Sequence, residues 1–302
     1  MNRELMNIID SVRKITLDDR LSDDAVTALV RCYISMQNLA AANGVATEYG
    51  TRKEFEDALN ILYRICAKRC QSNQPFVRRS RMTPVLYMIA YMQLYNVELQ
   101  RCRECNDLMY ELVDKWMNTP ETLREKSSAY GVLRCISNLC YCLADEDCQD
   151  DPHFMWFKQC VDDWVANLDI EGRWRDIPSN EALCRIEIMG RNSNMFLDAS
   201  NDLLIEKISR NYCNFILEDF RRSKGALSDG QESTLFMLYQ VMIWGIGSPN
   251  HELIDDIVEC AKMAAHSSAG TDAWLMLQSA YIDWECMKIH NKLKYKTLPH
   301  SA

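Results

Sequence analysis

Glycine and proline are scarce in this chain, 10 and 7 among 302 residues, below the roughly 7% and 5% of average proteins. That scarcity leaves most residues to helices. No apolar run approaches the roughly 20 residues that cross a bilayer, so no membrane span is expected. The stretch Met1-Asn2-Arg3-Glu4-Leu5-Met6 is polar, and no secretory signal is expected there. The 14 cysteines therefore do not read as the disulfide framework of a short secreted domain. Reduced thiols in a cytoplasmic location are expected instead, many of them acting as small core hydrophobes. Basic residues are outnumbered, 34 Lys and Arg against 43 Asp and Glu. The resulting charge of -9 argues against nucleic-acid binding by broad phosphate neutralisation.

Catalytic and metal motifs are missing as well. There is no Gly-rich phosphate loop, no Gly-x-Ser-x-Gly elbow and no Cys-His nucleophile pair. The histidines, His153, His251, His266, His290 and His300, fall in no metal-ligand frame and read as surface residues. Cys66-x3-Cys70 and Cys102-x-x-Cys105 have ligand-like spacing. On parallel helices, however, they would lie at opposite ends, roughly 20 Å or more apart by helical rise, too far to share a metal. Asp255-Asp256-Ile-Val-Glu259 sits near a helix start, where carboxylates simply favour the dipole. No metal and no cofactor is expected.

What the chain does have is apolar material, 48% of residues with 7 Trp, 13 Tyr and 16 Met, enough for a sizeable core. Nothing reads as a linker, so residues 1–291 are taken as one helical domain and 292–302 as a frayed tail. Apolar residues recur at helical spacing in twelve stretches. The first, residues 2–15, carries Leu5, Ile8, Ile9, Val12 and Ile15. Ser22 caps the second, which stops at Asn43-Gly44, and Thr51-Arg-Lys-Glu54 opens the third with capping-box spacing. Thr83-Pro84 opens the fourth, with proline at the first helical position. The fifth covers Arg101 to Met117, and a second capping box, Thr122-Leu-Arg-Glu125, opens the sixth. Pro152 leads into the seventh, Ser179 caps the eighth over 180–197, and the ninth covers Asn201 to Arg222. Ser228 caps the tenth, the eleventh covers His251 to His266, and Thr271 opens the twelfth, to about Asn291.

The even-numbered stretches are apolar all round, whereas the odd ones have one apolar stripe and one charged face. The caps of the even ones recur about every 50 residues, as in a repeated helical hairpin. The expected fold is all-α, an (α/α)6 toroid of six hairpins with the even helices inside. The alternative is an open α-solenoid of stacked helix pairs.

One turn stands out. Asp169-Ile-Glu-Gly-Arg-Trp-Arg-Asp-Ile-Pro178 carries the only Gly-x-Trp in the sequence. Through Asp169, Gly172, Trp174, Asp176 and Ile177, followed by Glu181, it resembles the outer-to-inner turn of toroidal carbohydrate enzymes. These are the unsaturated uronyl hydrolases and the helical domain of polysaccharide lyases. The resemblance covers roughly a dozen residues and bears on the fold more than on the function. It implies a toroid and acidic catalysis on a sugar acid. The chain departs from the lyases in having no room for their β-sandwich domain, and from the hydrolases in offering no matching acid beyond Glu181.

In a double ring the inner-helix N-termini share one face, with unpaired amides and positive dipole ends that favour anions. Arg78, Arg79, Arg81, Arg173 and Arg175 fall on that face, with Tyr130, Trp174 and Trp274 as stacking platforms and Glu232 and Asp272 at inner-helix starts. Asp176 and Glu181 are read as the catalytic carboxyl pair, since acid–base work at a glycosidic bond needs two carboxyls lining one cavity. A plainer reading of each first-turn acid is that it stabilises its own helix start. The expected function is a basic, aromatic-lined bowl that binds an anionic small molecule or oligosaccharide and acts on it by carboxylate chemistry. The alternative is a non-enzymatic helical scaffold holding a protein or peptide partner. The sequence contains no complete catalytic motif to decide between them.

Overall fold

The structure, a computed structural model, describes residues 2–43, 48–92, 99–124, 131–137, 150–166, 231–244, 250–267 and 271–297, and single positions between 207 and 223. Among these the fold is all-α. The bounded helices are α1 (Arg3–Arg13), α2 (Asp23–Asn43), α3 (Arg52–Arg69), α4 (Phe76–Met92) and α5 (Leu99–Met117). They continue with α6 (Pro152–Ala166), α7 (Gln231–Trp244), α8 (His251–Ser267) and α9 (Asp272–Thr297). Residues 131–137 and the described positions of 207–222 are also helical. No helix among the described residues is long and apolar enough to cross a membrane. The chain divides into two compact units, Met1–Cys105 with Ala269–Ala302, and Asn106–Ser268.

In the first unit α2 is the central helix, packed by α3, α4 and α9. Its sequence explains both its start and its position. Ser22 Oγ accepts from the Ala25 amide at 3.0 Å, and Asp23 and Asp24 occupy the first turn where carboxylates suit the dipole. Val26, Leu29, Val30, Tyr33, Met36 and Leu39 then bury several sides of the helix rather than one. Each such large apolar side chain contributes about 1.5–3 kcal/mol on burial. α9 is also apolar on several sides, through Leu275, Leu277, Ile282 and Trp284. α3 keeps a single stripe of Phe55, Leu59, Leu62, Ile65 and Cys66. Ahead of α3, Gly50 has φ +136, and any Cβ there would collide with the Phe55 ring. α1 lies on α9. Its cap, Asn2, accepts from the Glu4 amide at 3.2 Å while its Nδ2 donates to the Tyr281 hydroxyl at 3.1 Å.

The second unit contains the body of α5, then α6, α7 and α8. α7 and α8 pack as a hairpin. Leu235, Leu238, Tyr239 and Met242 of α7 are buried, as is the α8 stripe Leu253, Ile254, Ile257, Ala261 and Ala264. Asn250 caps α8 by accepting from the Leu253 amide at 3.1 Å.

Four local expectations change. α4 begins at Phe76, seven residues ahead of Thr83, and Pro84 lies inside it. The start signal comes from Pro75, whose carbonyl accepts from the amides of Arg78 and Arg79 at 3.1 Å each. Thr83 is no cap; its hydroxyl donates back to the Arg79 carbonyl at 2.7 Å. The Thr122 capping box starts no α-helix: Glu121–Leu123 forms a 3-10 turn that ends at Arg124 in extended backbone, φ -74 and ψ 128. The Thr51 box is half made. Thr51 accepts from the Glu54 amide at 3.2 Å, but the Glu54 carboxylate pairs with Arg13 Nε at 2.7 Å. Finally, α9 runs on to Thr297, beyond the expected end near residue 291. The expected eighth helix, its cap Ser179 and the cap Ser228 lie outside the described residues.

Candidate functional site

The arginines assigned to a ligand-binding turn lie within α4, and they tie helices together. The junction is organised by Arg69, at the end of the α3 stripe and one turn beyond Ile65 and Cys66. Arg69 is 4% exposed, so its charge must be answered inside the protein. Its Nη1 donates to Asp23 Oδ1 at 2.9 Å, and Nη2 donates to the carbonyls of Leu21 at 2.5 Å and Asp19 at 3.2 Å. Arg78 Nε approaches the second Asp23 oxygen at 3.5 Å. Arg79 is buried, with Nε donating to the carbonyl of Cys70, the C-cap of α3, at 3.2 Å. Arg81 reaches Asp24 at 3.5 Å. Arg69 itself was not singled out from the sequence, although a cation on an apolar stripe is the signal that finds it.

The remaining site residues read from the sequence divide into placed and unplaced. Asp272 is exposed in the first turn of α9, where Trp274 is half-buried and its amide donates to Thr271 Oγ1 at 3.2 Å. Glu232 lies in the first turn of α7. Tyr130, Arg173, Trp174, Arg175, Asp176 and Glu181 lie outside the described residues.

The basic, aromatic-lined bowl with acid–base chemistry is therefore corrected. Among the described residues no aromatic-lined basic cavity forms, and no three or more His, Cys, Asp or Glu side chains converge as a metal site would require. The physical reason is the start of α4. With Phe76 as its first residue, Arg78, Arg79 and Arg81 face the start of α2 and the end of α3 instead of a shared rim. A depression of about 280 Å³ in the first unit is lined by Asp18, Asp19, Ile61, Arg64, Ile65 and Lys68, which mix both charges with apolar side chains. Lys68 Nζ and Asp19 pair there at 2.5 Å.

A second polar junction joins α5 and α6 in the other unit. Asp151 caps α6, accepting from the amides of His153 at 2.8 Å and Phe154 at 3.3 Å, and its second oxygen accepts from the Tyr110 hydroxyl at 3.0 Å. His153, expected on the surface, is 5% exposed. Its Nδ1 lies 2.8 Å from Met117 Sδ and its Nε2 3.6 Å from Asp114. Following Pro152 at the helix start, its ring turns back against Tyr110, 4.7 Å between centroids. Arg124 donates to the carbonyls of Met117 at 2.7 Å and Thr119 at 2.8 Å, with its guanidinium 4.5 Å over the Trp116 ring. Trp116 also meets Trp156 at 5.5 Å, and its buried Nε1 has no hydrogen-bond partner.

The cysteine pairs are closer than their spacing on parallel helices suggests. Cys105 is within electrostatic reach of Cys102 and Cys70, and Cys66 within reach of Cys70 and Cys105. Both pairs pack against α4 from its middle onward. Thr83, whose hydroxyl is 3.6 Å from Cys70 Sγ, lies mid-helix, and only seven residues of α4, about 10 Å of rise, separate it from Ala90 beside Cys102. Burial pushes the Cys70 thiol up to about 11 and the Cys105 thiol up to about 12, and it raises Cys66 as well. These are protonated core thiols.

No protein-family model, curated protein sequence or solved structure matches the chain. Nothing in these comparisons ties the chain to the toroidal carbohydrate enzymes, and the class established is an all-α, multi-helix fold with helical-hairpin packing.

Proposed function

We propose that this chain is a non-enzymatic helical scaffold that holds a protein or peptide partner in the cytoplasm. Its hairpins follow the plan of an (α/α)6 toroid, with the turn 169–178 on the partner-binding face. The observation that supports this reading most is the engagement of the α4 arginines. Arg78, Arg79 and Arg81 serve carboxylates and a carbonyl of neighbouring helices, an architectural use of charge. Large apolar side chains meanwhile stand in solvent in the second unit. Leu123 is 71% exposed, Met155 and Phe215 54%, and Met263 47%, the kind of side chain that partner surfaces cover. Arg173-Trp174-Arg175 supplies the residue types that dominate binding energy at protein interfaces.

The test compares the wild type with the triple variant Arg173→Ala, Trp174→Ala, Arg175→Ala in affinity capture, followed by reconstitution of each captured protein from purified components. A partner that binds the wild type and loses about tenfold or more in affinity with the variant supports the scaffold. Partners indifferent to the triple substitution, or none that can be reconstituted, would overturn it.

A further inference from the structure

The thiol group at the start of α5 has two members one helical turn apart with opposite exposure. Cys102 is half-buried, whereas Cys105 is 1% exposed. In a helix, residues i and i+3 have Cα atoms about 5 Å apart, inside the window of about 4.4–6.8 Å that disulfides occupy. Cys102 also ties two helices together. Its Sγ donates to the Ala90 carbonyl at 3.5 Å, and its own carbonyl accepts from the Tyr91 hydroxyl at 3.4 Å. Cys105 sits beside Tyr63, whose hydroxyl hydrogen-bonds to it.

We propose that Cys102 and Cys105 form a peroxide-responsive dithiol, in which the accessible Cys102 is oxidised first and the buried Cys105 resolves it to an intrahelical disulfide. Cys102 lies in the first turn of α5, and a helix N-terminus is one of the surroundings in which thiolates react. Its sulfur attacks the O–O bond of a hydroperoxide. An S–O bond forms, the peroxide is reduced by two electrons to water or an alcohol, and Cys102 becomes a sulfenic acid. The Cys105 sulfur then attacks that sulfur. The S–S bond forms, the S–O bond breaks, and the hydroxyl leaves as water with the Cys105 proton. With hydrogen peroxide, two thiols become one disulfide and two waters.

Two features set the pace and the consequence. Burial holds Cys105 as a protonated thiol, so ring closure is slower than the first oxidation. Cβ atoms at i and i+3 are about 5–6 Å apart in a regular helix, whereas a disulfide needs about 3.5–4.5 Å. The first turns of α5 must therefore shift, and the hydrogen bond from Cys102 Sγ to α4 is lost. Strain of this kind makes the bond readily reduced again.

The experiment uses the reduced full chain, treated with hydrogen peroxide, blocked with N-ethylmaleimide and digested with trypsin. Cleavage after Arg101 and Arg103 separates the two cysteines, so the disulfide appears as the peptide Cys102-Arg103 linked to the peptide that begins at Glu104. Cys102 is expected to be consumed about tenfold or more faster than the buried Cys66 and Cys70, in keeping with their difference in exposure. In Cys105→Ser, dimedone is expected to trap a lasting sulfenic acid at Cys102. Oxidation of Cys102 no faster than Cys66 and Cys70 would overturn the proposal. So would a link from Cys102 to another cysteine, and both outcomes are read in the wild type without reliance on any variant folding.

Discussion

Arg69 in the first unit and Arg124 in the second both donate to a pair of backbone carbonyls, Leu21 and Asp19 in one case, Met117 and Thr119 in the other. They differ in what answers the charge. Arg69 is almost wholly buried and faces the Asp23 carboxylate, whereas Arg124 is half-buried and lies over the Trp116 ring. A guanidinium removed from water needs a counter-charge, because desolvation costs several kcal/mol. One that keeps contact with solvent is held adequately by carbonyl dipoles and a π face. The two junctions therefore order their surroundings alike while placing very different stability at risk.

Arg69→Met has the largest expected effect. It leaves the Asp23 carboxylate, 12% exposed, with only the longer approach of Arg78 at 3.5 Å. Breaking one side of a buried pair costs about 3–5 kcal/mol, whereas replacing both sides with apolar groups is often near neutral. Arg69→Met with Asp23→Leu should thus recover much of the loss. Two compact units make one global transition an unsafe measure. The readout is hydrogen exchange peptide by peptide across α2 and α3. If the double variant is as exposed to exchange as the single, the pairing account of Arg69 fails.

Arg124→Ala is the matching test in the second unit and should cost less. The carbonyls of Met117 and Thr119 can be rehydrated, and a partly exposed cation–π contact is worth about 0.5–1 kcal/mol. Because water takes over most of what the two hydrogen bonds supply, the expected loss is about 1–2 kcal/mol. It should be confined to exchange in the last turn of α5 and accompanied by a change in Trp116 fluorescence. A loss equal to that of Arg69→Met would show that solvent contact is not what separates the junctions.

The same contrast explains how much was legible in the sequence. Apolar periodicity identified α2 as enclosed and α3 as one-sided, because burial follows the 3.6-residue repeat. The caps Ser22, Thr51 and Thr271 each bind the amides expected of them. Proline misled, since Pro84, read as a first helical residue, lies inside α4, whose first amides bond instead to the Pro75 carbonyl. That single boundary moved three arginines off the supposed rim. The capping box at Thr122 failed for a related reason: Arg124 is drawn back to the carbonyls that end α5. For Asp176 and Glu181 the sequence offered only a local turn motif, and pairwise geometry across distant segments is not encoded in spacing.

The smallest expected effects concern two caps, and they sharpen the comparison at the level of one hydrogen bond. Thr51 satisfies one amide of α3, and the carboxylate that would complete its box belongs instead to Arg13. Asp151 satisfies two amides of α6 and holds the Tyr110 hydroxyl as well. Loss of a capping side chain costs about 0.5–2 kcal/mol. Thr51→Ala should fall near the lower end, seen as faster exchange in the first turn of α3 alone. Asp151→Ala should fall near the upper end, because a carboxylate at a helix N-terminus also interacts with the dipole. It releases Tyr110 too, so its effect should spread across the α5–α6 seam to His153. Equal and equally local effects would mean that the extra bonds of Asp151 are made without stabilising the seam, and the second junction would then rest on Arg124 and the tryptophan pair.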